Sequence, residues 1–174
     1  MEFTFTTAYN QKAMTAMAYT LRKTIRKKHN RRSHILGWII VVFGLLLSIP
    51  IGKDDFQISF QSVLTWVIVL ILIIVLLLED SINGYVARRR GLPGLEQATT
   101  TFTPEGYHSS TAVGSSDFHY NNIVMIAETN DYFVLIFSQS HAQVYDKSSI
   151  TGGSIDSFRQ FIQEQTGKTI YKVR

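Results

Sequence analysis

The chain contains no cysteine among its 174 residues. That excludes disulfides, thiolate catalysis and Cys-type zinc sites together. A phosphate-cradling loop is missing too, because Gly152-Gly153 has neither the following lysine nor the preceding strand such a loop needs. Residues 1–34 lack the apolar core of a cleaved signal peptide, so the first apolar run is expected to serve as the insertion signal. The most informative absence is of charge. Residues 35–51 and 63–78 are almost wholly apolar and carry no charged side chain, and the second run extends back to Phe60. A helix needs about 20 apolar residues to cross the hydrocarbon core, with about 17 as the lower limit. Cores of water-soluble domains rarely require helices that are apolar on every face. The two runs therefore read as a transmembrane hairpin with spans at 35–51 and 60–78. Pro50 and Gly52 end the first span, and Glu79 and Asp80 end the second at the interface. With nothing charged inside the spans, a transporter or channel reading has no ion path to rest on.

What charge there is lies beside the spans. Arg22, Lys23, Arg26, Lys27, Lys28, Arg31 and Arg32 precede the first, and Arg88, Arg89 and Arg90 follow the second. The loop of residues 52–62 carries Lys53 against Asp54 and Asp55. Positive residues within about 15–20 residues of a span stay on the cytoplasmic side, so both termini are expected there. From Gly91 onward eight acidic residues face five basic ones, although the whole chain is +4. A nucleic-acid partner would need cations spread over the folded domain, and none is expected. The ten flanking cations are instead a candidate surface for anionic lipid headgroups, besides setting topology.

The remaining segments alternate strand and helix signals. Phe3 and Phe5 alternate with Thr4 and Thr6 in a short strand. Met14, Met17, Ala18, Leu21 and Ile25 then recur at helical spacing, giving an amphipathic helix with Arg22, Arg26 and Lys27 on its polar face. Gly91-Leu92-Pro93-Gly94 closes a basic linker at residues 81–94. Strands are expected at 99–103, 107–112, 117–120, 123–129, 132–138 and 141–145, with Val113-Gly114-Ser115-Ser116 as a turn. Ser154 or Asp156 caps a final helix carrying Phe158, Phe161 and Ile162, and Gly167 ends it. The fold class is α+β: residues 1–34 as strand and basic helix, 35–80 as the hairpin, and 95–174 as a small antiparallel sheet or partial barrel closed by the C-terminal helix. Since the hairpin interrupts this material, residues 1–25 are expected to pack on the C-terminal sheet, making one unit close to the bilayer.

Three local strings carry a resemblance. They are Phe102-Thr103-Pro104-Glu105-Gly106-Tyr107, Tyr120-Asn121-Asn122-Ile123, and Ile126-Ala127-Glu128-Thr129-Asn130-Asp131-Tyr132-Phe133. In this order, behind an N-terminal strand, helix and hairpin, the chain resembles the YcxB-like family of bacterial two-span membrane proteins. The resemblance implies a pleckstrin-homology-like (PH-like) domain at the cytoplasmic face of the cell membrane. Two positions depart from the family pattern: Tyr120 stands where a tryptophan is usual, and Asp146-Lys147 where Pro-Lys is usual. The resemblance carries no catalytic residues.

Few residues suggest chemistry. His108, His119 and His141 sit on or beside expected strands, without the tidy spacing of metal ligands. Ser138, Ser140 and His141 are sequence neighbours, and a triad must instead meet in space. No catalytic group, metal or cofactor is expected. Tyr120, Tyr132 and Tyr145 are the candidate partner surface, since an aromatic at a sheet edge can receive a peptide. The expected function is a non-enzymatic membrane-anchored interaction module whose partner is a membrane protein, a peptide strand or a second copy of the chain. The alternative is an immunity protein giving self-protection against a membrane-active toxin or bacteriocin.

Overall fold

The computed structural model describes residues 2–48 and 60–173. Pro50, Gly52 and most of the expected 52–62 loop lie outside the described residues. The chain forms two compact units, residues 1–26 with 80–174 and residues 27–79.

The first unit is built on two four-stranded sheets. β1 (Phe3–Ala8) buries Phe3 and Phe5 and turns its threonines outward. It pairs antiparallel with β2 (Gln97–Thr103), across the whole length of the interrupting helices in sequence. β3 (Gly106–Thr111) and β4 (Gly114–Phe118) extend this sheet in the order β1-β2-β3-β4. The second sheet has the order β7-β6-β5-β8, from β5 (Met125–Glu128), β6 (Tyr132–Ile136), β7 (Ala142–Asp146) and β8 (Ile170–Lys172). β8 runs parallel to β5, so the expected antiparallel sheet or partial barrel is corrected at this strand. Three residues are too few to show alternation, which hid β8 in the sequence. The expected turn at 113–116 is also corrected: Ala112 and Val113 alone make the turn, and Gly114-Ser115-Ser116 is strand, held in register by β3 rather than by propensity.

β6 explains why its sequence is apolar throughout. Phe133 and Leu135 enter a core shared with Phe3, Phe5, Phe102, Tyr145 and Phe158. Tyr132, Val134 and Ile136 point the other way, against Ala13 and Leu21 of α1 (Gln11–Lys23). A strand buried on both faces loses its polar alternation. α1 starts where the Asn10 side chain accepts from the Ala13 N–H at 2.9 Å. α5 (Ile155–Thr166) starts at Ser154, whose Oγ accepts from the Ser157 N–H at 3.1 Å, and ends at Gly167 in the left-handed region. The N-terminal segment packs on the C-terminal sheets, as expected.

The outer edge of β1 is sealed. The Thr4 N–H donates to the Thr151 carbonyl (3.1 Å) and the Thr151 N–H returns to the Thr4 carbonyl (2.9 Å). The Asp146 N–H donates to Thr7 Oγ1 (3.0 Å). Gly152 makes this approach possible, with φ +85° and a position where a Cβ would lie 2.1 Å from the Glu2 carbonyl oxygen. Residues of the expected 81–94 linker prove helical in α4 (Glu79–Arg89). α4 lies on α1, with Gln11 Nε2 donating to the Ser81 carbonyl at 2.9 Å and Arg22 paired with Asp80.

The second unit is the hairpin of α2 (Lys27–Leu47) and α3 (Phe60–Leu77), both long and apolar enough to span a membrane. Their outward Ile, Leu, Val, Trp and Phe side chains are exposed along both helices. The helices meet at glycine notches seven residues apart. A Cβ on Gly44 would lie 2.7 Å from Val69 Cγ2, and one on Gly37 would lie 2.7 Å from Leu76 Cδ2. Small residues allow such close approach without a hydrophobic drive between helices. Gly44→Leu is therefore expected to destabilise the hairpin by about 1–3 kcal/mol through overpacking. Thermal unfolding in detergent, followed by the fluorescence of Trp38 and Trp66, checks this.

Candidate functional site

Two features stand out in the first unit: a buried ion cluster and an open groove. Glu128 ends β5 inside the core, 5% exposed. Its carboxylate accepts from Arg159 of α5, Nε to Oε2 at 3.0 Å and Nη2 to Oε1 at 2.6 Å, and from Lys147 Nζ. Lys147 Nζ also donates to the carbonyls of Thr129 and Asn130, and it lies 5.0 Å from the Phe133 ring centroid. Burial alone would raise the Glu128 pKa. The hydrogen bonds and charges of Arg159 and Lys147 outweigh it and hold the carboxyl below its ordinary value. The cluster ties β5, the segment after β7 and α5 together.

Around the turn after β6's predecessor, Thr129 Oγ1 accepts from the Tyr132 N–H at 3.0 Å. Asp131 reaches Lys12 of α1 at 2.7 Å, an exposed pair of small energetic weight. Tyr120 donates its hydroxyl to the Thr103 carbonyl at 2.6 Å, with the Gly106 carbonyl at 3.1 Å, and so locks the β2–β3 turn. An indole N–H at this position is also a donor, which gives a physical reason why Tyr stands where the resemblance expects Trp. The three strings singled out in the sequence are thus two turns and the lock between them.

A family model described as YcxB-like protein matches residues 102–162. Over that stretch the chain is similar to the YcxB-like family. The YcxB-like segment runs from late β2 into α5 and contains Tyr120, Glu128, Lys147 and Arg159. The N-terminal strand, α1, both apolar helices and β8 lie outside it. No curated protein and no solved structure matches the chain.

The partner surface expected at Tyr120, Tyr132 and Tyr145 is corrected by burial: the three are 6%, 4% and 1% exposed. Tyr145 donates to Gln143 Oε1 at 2.5 Å. Desolvation pushes its hydroxyl pKa well up, as it does for Tyr120. These are core residues. The turn serines gather around His141 on an exposed turn. Ser138 and Ser140 both turn their Oγ to His141 Nδ1 at 3.2 Å, and Ser138 Oγ accepts from two backbone N–H groups of the same exposed turn. Among the described residues no three metal-ligating side chains come together.

The ten flanking cations do not act alike. Arg22 is committed to Asp80, and Arg26 Nε donates to the Gln139 carbonyl at 2.6 Å. Lys23 lies 5.4 Å from the Tyr19 ring centroid, and Arg89 lies 5.3 Å from that of Tyr85. Lys27, Lys28, Arg31 and Arg32 occupy the first turns of α2, and Arg90 is exposed after α4. Arg88 lines a groove of about 910 Å³ beside β4. Leu92, Leu95, Met14 and Phe118 supply apolar walls, while Ser116 and Gln143 supply polar ones.

Among the described residues β4 has a strand neighbour on one side only. The two-residue turn makes Thr111 and Gly114 its closing pair, so alternation turns the N–H groups of Ser115 and Asp117 toward the free edge. Sequence reading placed a turn here, and Gly-Ser-Ser offers no signal that would have shown a strand.

Proposed function

We propose that the chain is a non-enzymatic membrane-anchored interaction module. The hairpin crosses the bacterial cytoplasmic membrane twice, both termini are cytoplasmic, and the PH-like unit receives an extended segment of another membrane protein along β4. The free β4 edge beside the groove is the observation that carries this reading. An unpaired edge offers main-chain hydrogen bonds to an added strand. Native edges are usually guarded by Lys, Pro, a bulge or a cover, and β4 has neither Lys nor Pro. The adjoining groove carries both Arg88 and Glu96, so main-chain pairing and its apolar walls, rather than net charge, hold the partner there.

Ser115→Pro removes an outward donor and adds bulk at the edge while leaving the β3 ladder in place. Pull-downs with full-length protein from detergent-solubilised membranes should show the partner retained by the original chain and depleted about ten-fold or more by the variant, a loss of about 1.4 kcal/mol. Equal capture by both would overturn the edge as the binding place. Protection of cells from a membrane-active peptide by residues 27–79 alone would favour the self-protection reading instead.

A further inference from the structure

Resting on the membrane placement proposed above, we infer that α2 carries a site for one anionic phospholipid of the cytoplasmic leaflet. Its phosphate sits at Arg31 and its acyl chain lies along Trp38 and Phe43. The α2 surface forms a groove of about 500 Å³ from Arg31, His34, Ile35, Trp38, Ile39, Val42 and Phe43. These positions recur at three- and four-residue spacing, so they form one continuous helix face. Its composition changes along the axis. Arg31 and His34 lie at one end, and every later member is apolar.

From Ile35 to Phe43 the helix rises about 12 Å, close to the depth of one leaflet of a hydrocarbon core about 30 Å thick. Trp38 stands at the junction, where indole rings settle at the headgroup level. Lys27 and Lys28 precede Arg31 by four and three residues and add cations on the same face. The opposing carboxylate, Glu79, is already engaged by His34 and by Asn30 Nδ2 at 3.2 Å, and Arg31 has no acidic partner among the described residues. A cationic head above an apolar channel matches an anionic phospholipid and mismatches a zwitterionic one. Arg32, its immediate neighbour, is not part of the groove.

That contrast gives the test. The full chain holds two tryptophans, so Trp66→Phe leaves Trp38 as the single reporter. It is reconstituted in phosphatidylcholine vesicles containing either brominated phosphatidylglycerol or the same amount of brominated phosphatidylcholine. One cation near the surface enriches anionic lipid about five-fold, so Trp38 should be quenched far more by the brominated phosphatidylglycerol. Adding Arg31→Gln should bring the two curves together, and adding Arg32→Gln should leave them apart, with circular dichroism showing all variants helical. Equal quenching by both lipids before any arginine is changed would overturn the site. So would equal loss in the Arg31 and Arg32 variants, which would reduce the effect to general surface charge. Absence of quenching by either lipid would overturn the membrane placement itself.

Discussion

Glu128→Gln is expected to destabilise the sheet-bearing unit by about 3–5 kcal/mol, the cost of leaving buried charge uncompensated. The substitution keeps the shape of the side chain and removes its charge. Lys147 is then left in the core with two carbonyls and no anion, and Arg159 keeps a neutral acceptor on one side but meets an amide N–H donor on the other. Lys147→Met should cost less, because Glu128 keeps Arg159. Denaturation followed by near-ultraviolet circular dichroism of the tyrosines reads this unit separately, since both tryptophans belong to the hairpin helices. The same carboxylate sets an acid limb. Burial raises its pKa, but the bonds from Arg159 and Lys147 prevail and the folded value lies below the ordinary one. A lowered folded pKa means stability that is complete above the unfolded value and disappears as pH falls through the folded value. The original chain should therefore lose stability on acidification below the ordinary glutamate range. Glu128→Gln should lose less over that interval, and a Glu128→Gln chain with an unchanged acid limb would assign the limb to other groups.

Most of the fold was legible where physical periodicity is strong. The Phe3/Phe5 alternation, the α1 stripe, the capped α5 and the uncharged runs each have a pattern that one element alone satisfies. Even the return of β1 to the C-terminal sheet followed from an apolar strand left on the far side of a hairpin. Legibility failed where an element is made by its neighbours. β4 is Gly-Ser-Ser-Asp-Phe, a strand only because β3 holds its register. β8 is three residues fastened to β5, and α4 reads as a charged linker until Gly84 is seen against Thr15, where a Cβ would lie 2.7 Å from the backbone nitrogen. The candidate site suffered most, because exposure has no sequence period. The tyrosines looked like edge aromatics, and the core claimed them. Glu128 has no sequence sign of burial, and in the fold two cations from distant elements pair with it in the core. Arg88 was visible as a cation, but only the folded sheet shows the groove it enters.

Phe5→Ala should destabilise the same unit by about 3–5 kcal/mol, although Phe5 lies far outside the matched segment of residues 102–162. Its ring is fully buried and meets Phe102, Phe133, Tyr145 and Phe158 with centroids 4.7–6.3 Å apart. Truncation thus opens a cavity at the one point where β1, both sheets and α5 converge. Thr6→Ala on the same strand is the control. It removes an exposed hydroxyl and should change stability by no more than about 0.5 kcal/mol. The measurement is denaturation of the full chain in detergent, with the tyrosine signal reporting the first unit and tryptophan fluorescence the hairpin. If the N-terminal strand is integral, Phe5→Ala shifts the tyrosine transition strongly while Thr6→Ala does not. A tyrosine transition unmoved by Phe5→Ala would mean that the C-terminal sheets fold without β1, and the hairpin would then precede a domain rather than interrupt one.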